Sequence, residues 1–267
     1  MIRLSLMLLT LFLHFNLRAA EGFYSTELEV PEIIRPYINS VAMLTVNLSD
    51  TKSYTAGSGL VFYSNSEFSY IVTNHHVAGY GCKNIGDKCE DLNIRFGFEW
   101  NNISKVFNAI SKDALLITDV ILDYDNAVQD IAVIRFKTKN LKFNKVNIVT
   151  QVELIPETGD FFSIGFPIIS LRYKSDQVVS QKWSKGNINM LANNASLSNG
   201  VKGTFLFHDI DLVPGMSGGP IFDNFGNLIG IQQSVALRKG EGYEYLNYQF
   251  CIAVPLSVAD EYFAKFN

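Results

Sequence analysis

Positive charge is the first thing this 267-residue sequence lacks: 22 Lys and Arg stand against 26 Asp and Glu, and charged residues make up only 18% of the chain. A general nucleic-acid binder needs a basic face to neutralise phosphates, so the balance argues against that class. Glycine (19) and proline (7) are too scarce for collagen-like or linker sequence, and no repeat recurs at a period of 20 to 50 residues. Histidine (4) and cysteine (3) are rare. No His stands beside a Cys at zinc-ligand spacing, so no metal is expected. No phosphate loop, dinucleotide fingerprint or calcium loop is present either, so no cofactor is expected. What is plentiful is apolar: 48% of residues are hydrophobic and 13% aromatic, which excludes a disordered chain. The length allows one large or two small domains with a full core.

The longest apolar run lies at the start. Arg3 precedes a run from Leu4 to Leu17 rich in Leu, Met and Phe, and Ala19-Ala20 closes it. Charged start, apolar core and small-residue end are the order of a secretory signal peptide. At about 14 residues the run is too short to span roughly 30 Å of hydrocarbon as a helix. Residues 1–20 are therefore read as a leader cleaved near Ala20, leaving 247 residues with 20 cations against 26 acids, a net charge of −6. No second long apolar segment follows, so the mature chain is expected to be exported, periplasmic or secreted, and free of the membrane. Cys82 and Cys89 lie close enough in GCKNIGDKCE for a small loop disulfide, which suits an oxidising compartment. Cys251, in QFCIAV, reads as a buried free thiol.

The mature chain is dominated by short β-rich runs separated by polar turns: VAMLTVNL (41–48), GLVFY (59–63), YIVTN (70–74), LNIRFGF (92–98), IAVIRF (131–136), FFSIGF (161–166), GTFLFHDI (203–210), PIFD (220–223), LIGIQQSV (228–235) and YQFCIAV (248–254). In LNIRFGF, apolar and polar residues alternate as in a half-buried strand. NFGN (224–227) separates two runs closely enough for a hairpin. Such spacing predicts an all-β barrel or sandwich. Helical periodicity is confined to the ends. One helix is expected over 257–266 with Ser257 as its cap, and a shorter one over 31–38, limited by Pro36. The polar stretch 139–152 marks a crossing between two domains, 21–140 and 141–267.

Three fragments carry chemistry. Gly215-Met216-Ser217-Gly218-Gly219-Pro220 puts a serine in a glycine-rich turn between two strands, where the N–H groups of Gly215 and Ser217 could stabilise an oxyanion. A serine hydroxyl needs a base to take its proton, and the mature chain has only His75, His76 and His208 to offer. A carboxylate must then hold that base, and Asp130-Ile131-Ala132-Val133 supplies one at the start of a strand. Each fragment alone is also what a tight turn, a strand-end histidine or a turn acid would look like. Together they run His…Asp…Ser, with separations of 54 and 87 residues.

These fragments resemble the chymotrypsin-like (trypsin-like) serine protease superfamily, nearest its bacterial branch of Deg/HtrA proteases and glutamyl endopeptidases. The resemblance runs from about Val41 to Pro255. Ala56-Gly57-Ser58-Gly59 followed by Thr73-Asn74-His75-His76-Val77 resembles the approach to the family's catalytic histidine, with His76 at the matching position and His75 in the variable slot. Ser163-Ile164-Gly165-Phe166-Pro167 and Gly226-Asn227-Leu228-Ile229-Gly230-Ile231 resemble strands of the second barrel.

The resemblance implies two six-stranded antiparallel β-barrels packed together, with a short C-terminal helix. It implies an exported serine endopeptidase acting on protein or peptide substrates through His76, Asp130 and Ser217, with Gly215 and Ser217 forming the oxyanion hole. His75 would face away from the site if the strand continued through it. The alternative is a protease-fold binding or adhesion protein without activity. Met216 replaces the aspartate that precedes the nucleophile in the animal branch, so activation by a freed N-terminus is not implied. Asp211, six residues before Ser217, stands where trypsin carries its base-recognising acid, and is either a specificity residue or a structural acid. Gln232 stands where glutamyl endopeptidases place a substrate-binding histidine, so acidic-substrate recognition is not implied.

Overall fold

The structure, a computed structural model, describes residues 24–25, 30–47, 53–101, 106–109, 114–138, 141–167, 178–179, 181–196, 202–237 and 249–266. Residues 1–20, read above as a leader, lie outside the described residues. The first half holds β1 (Tyr24–Ser25), β2 (Val41–Asn47), β3 (Ser53–Ser64), β4 (Phe68–Thr73), β5 (Leu92–Phe96), β6 (Phe98–Asn101), β7 (Val106–Ala109), β8 (Leu115–Ile117), β9 (Val120–Asn126) and β10 (Ile131–Lys137). The second half holds β11 (Phe161–Gly165), β12 (Val178–Val179), β13 (Lys182–Gly186), β14 (Ile188–Ser196), β15 (Lys202–His208), β16 (Pro220–Phe222), β17 (Leu228–Leu237) and β18 (Gln249–Pro255). Each β run expected from the sequence overlaps a strand, and LNIRFGF (92–98) is divided between two.

Two large antiparallel sheets form the molecule. One has seven strands in the order β8-β5-β2-β3-β4-β10-β9, and the other has eight in the order β1-β13-β11-β16-β17-β18-β15-β14. They correspond to the two packed barrels, with short strands such as β1 and β8 raising the count at the edges. A small third sheet, β12-β6-β7, joins a strand from each half. Among the described residues no helix is long and apolar enough to cross a membrane.

Among the described residues the core falls into three larger clusters and a small fourth around Met216. Ala42, Leu44, Val46, Val61, Ile71, Ile94, Ala132 and Ile134 fill the interior of the first sheet. The intervening residues Val41, Met43, Leu60, Val72, Ile131 and Val133 face the other way, onto Phe162, Ile164, Trp183, Phe222 and Ile231 of the second. Phe161, Leu206, Ile221, Ile229 and Ala253 fill the second interior. Strands facing an interior on one side and a seam on the other are buried on both faces, so alternation weakens as a guide. β5 is the instructive case: all five of its residues are buried, polar Asn93 and Arg95 included. Arg95 donates through Nε to Thr45 Oγ1 at 3.1 Å, and burial lowers its pKa to about 10. The strand also breaks at Gly97, whose φ of 64° ends the pairing before β6 begins.

Both helical expectations change in detail. The N-terminal one is a 3-10 helix over Arg35–Ser40, and Pro36 lies in its first turn, where a missing N–H costs nothing, so Pro36 helps start the helix. The C-terminal one is split into 3-10 turns at Leu256–Ala259 and Ala264–Phe266 around an α turn at Asp260–Phe263. Ser257 sits inside the first turn and caps nothing; that turn starts from Pro255, with no side-chain cap. What holds this segment is packing: Phe263 meets Phe62 edge-on with centroids 5.2 Å apart, and Tyr124 stacks on Tyr262 at 4.5 Å. The Tyr262 hydroxyl donates to Asp123 Oδ2 at 2.6 Å, and Asp123 Oδ1 pairs with Arg135 Nε at 2.8 Å. Cys82 and Cys89 form a disulfide, and Cys251 is free and buried.

Hydrogen bonds to charged groups contribute about 1.5–3 kcal/mol. Tyr262→Phe, which removes only the hydroxyl, is therefore expected to destabilise the fold by about 2 kcal/mol. Urea denaturation checks this as a lower midpoint with an unchanged slope.

Candidate active site

Three segments meet where the two large sheets abut. β4 ends at Thr73, and the chain then enters one short helical turn, His75–Ala78. The strand pattern thus stops before the two histidines, and His75 does not simply point to the opposite face of a strand. Its Nδ1 instead lies 2.6 Å from Asp125 Oδ1. Asn74 occupies the cap position of the turn, but its side chain does not cap. Its Nδ2 donates to the carbonyl of Asp130 at 2.9 Å.

Asp130 stands in the left-handed region, with φ 54°, which is uncommon outside glycine and costs less for Asp than for most residues. Its carboxylate is buried against the His76 segment. Oδ1 accepts from the His76 backbone N–H at 2.9 Å, and Oδ2 lies 2.8 Å from His76 Nδ1. With Nδ1–H donating to the carboxylate, Nε2 keeps its lone pair and can accept a proton. The turn that delivers Asp130 is itself tied down. Gln129 N–H donates to Asn126 Oδ1 at 3.2 Å, and Gln129 Oε1 accepts from Thr204 N–H of β15 at 3.3 Å.

The third segment is the turn 213–219. Gly215 (φ 94°) and Gly218 (φ 81°) both use the conformation that glycine permits. A Cβ at Gly218 would collide with the Ser58 carbonyl and Thr73 Oγ1, so the turn fits directly against the first sheet. Met216 N–H donates to Val213 O at 3.1 Å, Gly218 N–H to Gln232 O at 2.8 Å and Gly219 N–H to Met216 O at 2.8 Å. Among the described residues, the N–H groups of Gly215 and Ser217 donate to no backbone carbonyl. Two free donors on alternate residues of one turn can bind a negative oxygen. The Ser217 hydroxyl donates to the Gln233 carbonyl at 3.1 Å, and no hydrogen bond joins it to His76. The structure therefore pairs His76 with Asp130 and brings Ser217 alongside, its hydroxyl turned to β17.

Ser58 of β3, fully buried, was not singled out from the sequence as a site residue. Its N–H donates to Ser217 O at 2.7 Å, and its Oγ donates to Gly215 O at 2.8 Å. The only sequence signal for it is the Gly-Ser-Gly flanking, where a Cβ on Gly57 would meet Ser217 O.

The two expected specificity positions lie on the second-sheet side. Gln232 is wholly buried, with its backbone N–H and C=O bonded to Gly219 and Gly218. Asp211 acts electrostatically on Cys251, which packs with Leu212 and Met216. Burial, reinforced by Asp209, raises Asp211 to about 6. The third histidine, His208, is wholly buried; its ring lies near Gln232, and neither ring nitrogen makes a hydrogen bond of good geometry. Burial lowers its pKa to about 4, outweighing Asp209 and its neighbours, so it is neutral at pH 7. Among the described residues, no group of three His, Cys, Asp or Glu could hold a metal.

Residues 57–231 match the trypsin-like peptidase domain. Curated relatives include the chloroplastic Protease Do-like 5 of Arabidopsis thaliana, 29% identical over 70% of this chain and 50% of that protein. Another is a probable periplasmic serine endoprotease, DegP-like, of Pseudomonas savastanoi pv. phaseolicola, 25% identical over 79% of this chain and 35% of that protein. Serine endoprotease DegS of Haemophilus influenzae is 24% identical over 88% and 57%. The chain thus spans between a third and three fifths of these relatives' lengths. Among solved structures, the HtrA-type protease AlgW with a tripeptide superposes with a TM-score of 0.57 at 21% identity, over 86% of this chain and 60% of that one.

His208 and Asp211 give folding opposite dependences on pH. His208 is depressed from 6.5 to about 4, so its contribution to stability is present above pH 6.5 and lost as pH falls towards 4. Asp211 is raised from 3.8 to about 6, so its contribution is present below pH 3.8 and lost as pH rises through 6. His208→Gln is expected to remove the first effect alone. Between pH 7 and pH 5 the wild type should lose on the order of 1–2 kcal/mol more than the variant in urea titrations.

Proposed function

We propose that this chain, which belongs to the trypsin-like peptidase domain family, is an exported serine endopeptidase. Ser217 is the nucleophile, His76 the general base and Asp130 the group that orients it. His76 Nε2 takes the Ser217 proton as Oγ attacks the peptide carbonyl, and the N–H groups of Gly215 and Ser217 receive the oxyanion. The imidazolium, stabilised by Asp130, then protonates the leaving amine, and water reverses the sequence on the acyl-enzyme. For the first step the Ser217 hydroxyl has to leave the Gln233 carbonyl for His76, one rotation about its Cα–Cβ bond. The observation that carries this reading is the double contact of Asp130 with the His76 backbone N–H and Nδ1, which leaves Nε2 free beside a turn with two unpaired N–H donors.

The substrates proposed are proteins or peptides. The solved AlgW complexes hold a tripeptide and a decapeptide, which supports that class. Asp211, beside the nucleophile turn, is the position proposed to sort them, whereas Gln232 is wholly buried and would act only through the turn it holds. Export is supported by the leader-like residues 1–20 and by the Cys82–Cys89 disulfide. The N-terminal residue of the mature chain, read by mass spectrometry and expected near Glu21, tests the cleavage.

One observation favours the alternative, a protease-fold binding protein without activity: the Ser217 hydroxyl is bonded to Gln233 and not to His76. A fluorophosphonate, which reacts with an activated serine, separates the two. Stoichiometric labelling of the wild type, absent in Ser217→Ala, is expected. Asp130→Asn should label about 10³–10⁴-fold more slowly, since the histidine is then held in the wrong tautomer. A wild type that takes no label sinks the protease reading.

Substrate sorting has its own test. An ionised Asp211 would favour Lys or Arg at the cleaved bond, and a protonated one would not. With its pKa near 6, cleavage profiles of a peptide library should show that preference at pH 8 and lose it at pH 5. Identical profiles at both pH values would exclude Asp211 from specificity.

A further inference from the structure

An oxyanion hole made of backbone N–H groups works only if its peptide planes hold still, because donors misplaced by about half an ångström lose most of their effect. From Gly215 to Gly218 the planes are held one by one. The plane from Gly215 to Met216 is bonded at both ends, through Gly215 O to Ser58 Oγ and through Met216 N–H to Val213 O. The plane from Met216 to Ser217 is held at its carbonyl by Gly219 N–H, which leaves Ser217 N–H free. The plane from Ser217 to Gly218 is again bonded at both ends, through Ser217 O to Ser58 N–H and through Gly218 N–H to Gln232 O. Ser58, a residue of the other sheet, therefore holds the carbonyls of both residues whose N–H groups are unpaired.

The Oγ contact matters most, because Gly215 is the residue with the greatest freedom to turn. At φ 94° glycine has no side chain to fix its neighbouring planes. Ser58 Oγ is itself oriented: it accepts from Phe166 N–H at 2.9 Å, which points its own proton at Gly215 O, 2.8 Å away. The Ser58 carbonyl accepts from Thr73 Oγ1 at 2.8 Å, three residues before His76. Every polar group of this buried residue is used, and together they fix the oxyanion donors relative to the base.

We propose that Ser58 is a positioning residue for the oxyanion hole, its hydroxyl holding the Gly215–Met216 peptide so that the N–H groups of Gly215 and Ser217 face the substrate. The proposal rests on the reading of Ser217 as nucleophile. Ser58→Ala keeps the backbone bond to Ser217 O and removes only the hydroxyl. It is expected to lower kcat about 10–100-fold with KM within about threefold. A peptide aldehyde, whose adduct with Ser217 carries the oxyanion, should lose affinity by the same factor as kcat. Ser58→Cys, of similar size but a weak donor, should fall between the two, and it carries the test if the alanine variant does not fold. A folded Ser58→Ala or Ser58→Cys with kcat within twofold of wild type overturns the proposal. So does a fall in kcat with unchanged aldehyde affinity, which would mark Ser58 as a packing residue. A wild type that takes no fluorophosphonate and cleaves nothing overturns the protease reading instead.

Discussion

Everything in this molecule depends on the first sheet burying both of its faces. Ala42, Leu44 and Val46 point into their own barrel, while Val41 and Met43 between them point into the seam with the second sheet. That seam, which also takes in the aromatic C-terminal turns, buries Ser58, Thr73, Asn74 and Asp130 at the strand ends where the three chemical segments meet, while the His76 ring stays exposed. Polar groups there cannot turn to solvent, and leaving one unpaired costs about 1–3 kcal/mol. The buried ones bond to protein instead: Ser58 across the seam to Gly215, Ser217 and Phe166, and Asn74 within the first half to Asp130. The hydrophobic packing that makes the two sheets one body thus also dictates that the site is built from cross-sheet hydrogen bonds.

Local rules are broken where those bonds converge. Asn74 stands where a helix cap would use its side chain, yet spends it on the Asp130 carbonyl. Asp130 adopts a left-handed backbone, a conformation costing on the order of 1 kcal/mol. Its carboxylate offsets that cost by accepting from both the backbone and the ring of His76. The strain aims the carboxylate: the left-handed turn lets Asp130 lead into β10 and still reach back to the segment after β4.

Much of this was legible in the residues, and the gaps have physical causes. The strands were legible because short apolar runs between polar turns have few other ways to fold. Which strands were half-buried was not, because β5 has a seam on one side and an interior on the other, and its Arg95 is accommodated by Thr45, 50 residues away. The C-terminal turns were placed correctly but their start was not, since packing of Tyr262 and Phe263 sets it and a cap at Ser257 does not. His76, Asp130 and Ser217 could be proposed together because a base, an acid and a glycine-flanked serine in that order resemble a known family, and the structure brings His76 and Asp130 into contact. Ser58 was hidden: its function in the fold lies in bonds to residues 157 and 108 positions away, and no local pattern encodes those.

The same contrast bears on how the site could act. The Ser217 hydroxyl rests on the Gln233 carbonyl through one neutral hydrogen bond, worth about 1 kcal/mol, and a move between staggered rotamers breaks it. The peptide planes of residues 215 to 218, by contrast, are held by five bonds, to Ser58 twice, Val213, Gly219 and Gln232. Turning one of them means breaking bonds in a turn whose residues Gly215, Met216, Gly218 and Gly219 are buried. Between a side chain that is cheap to move and a backbone that is not, substrate binding can reset the first but has to find the second ready. The resting orientation of the hydroxyl is therefore weak evidence against activity, and the rigidity of the turn is the stronger evidence for it.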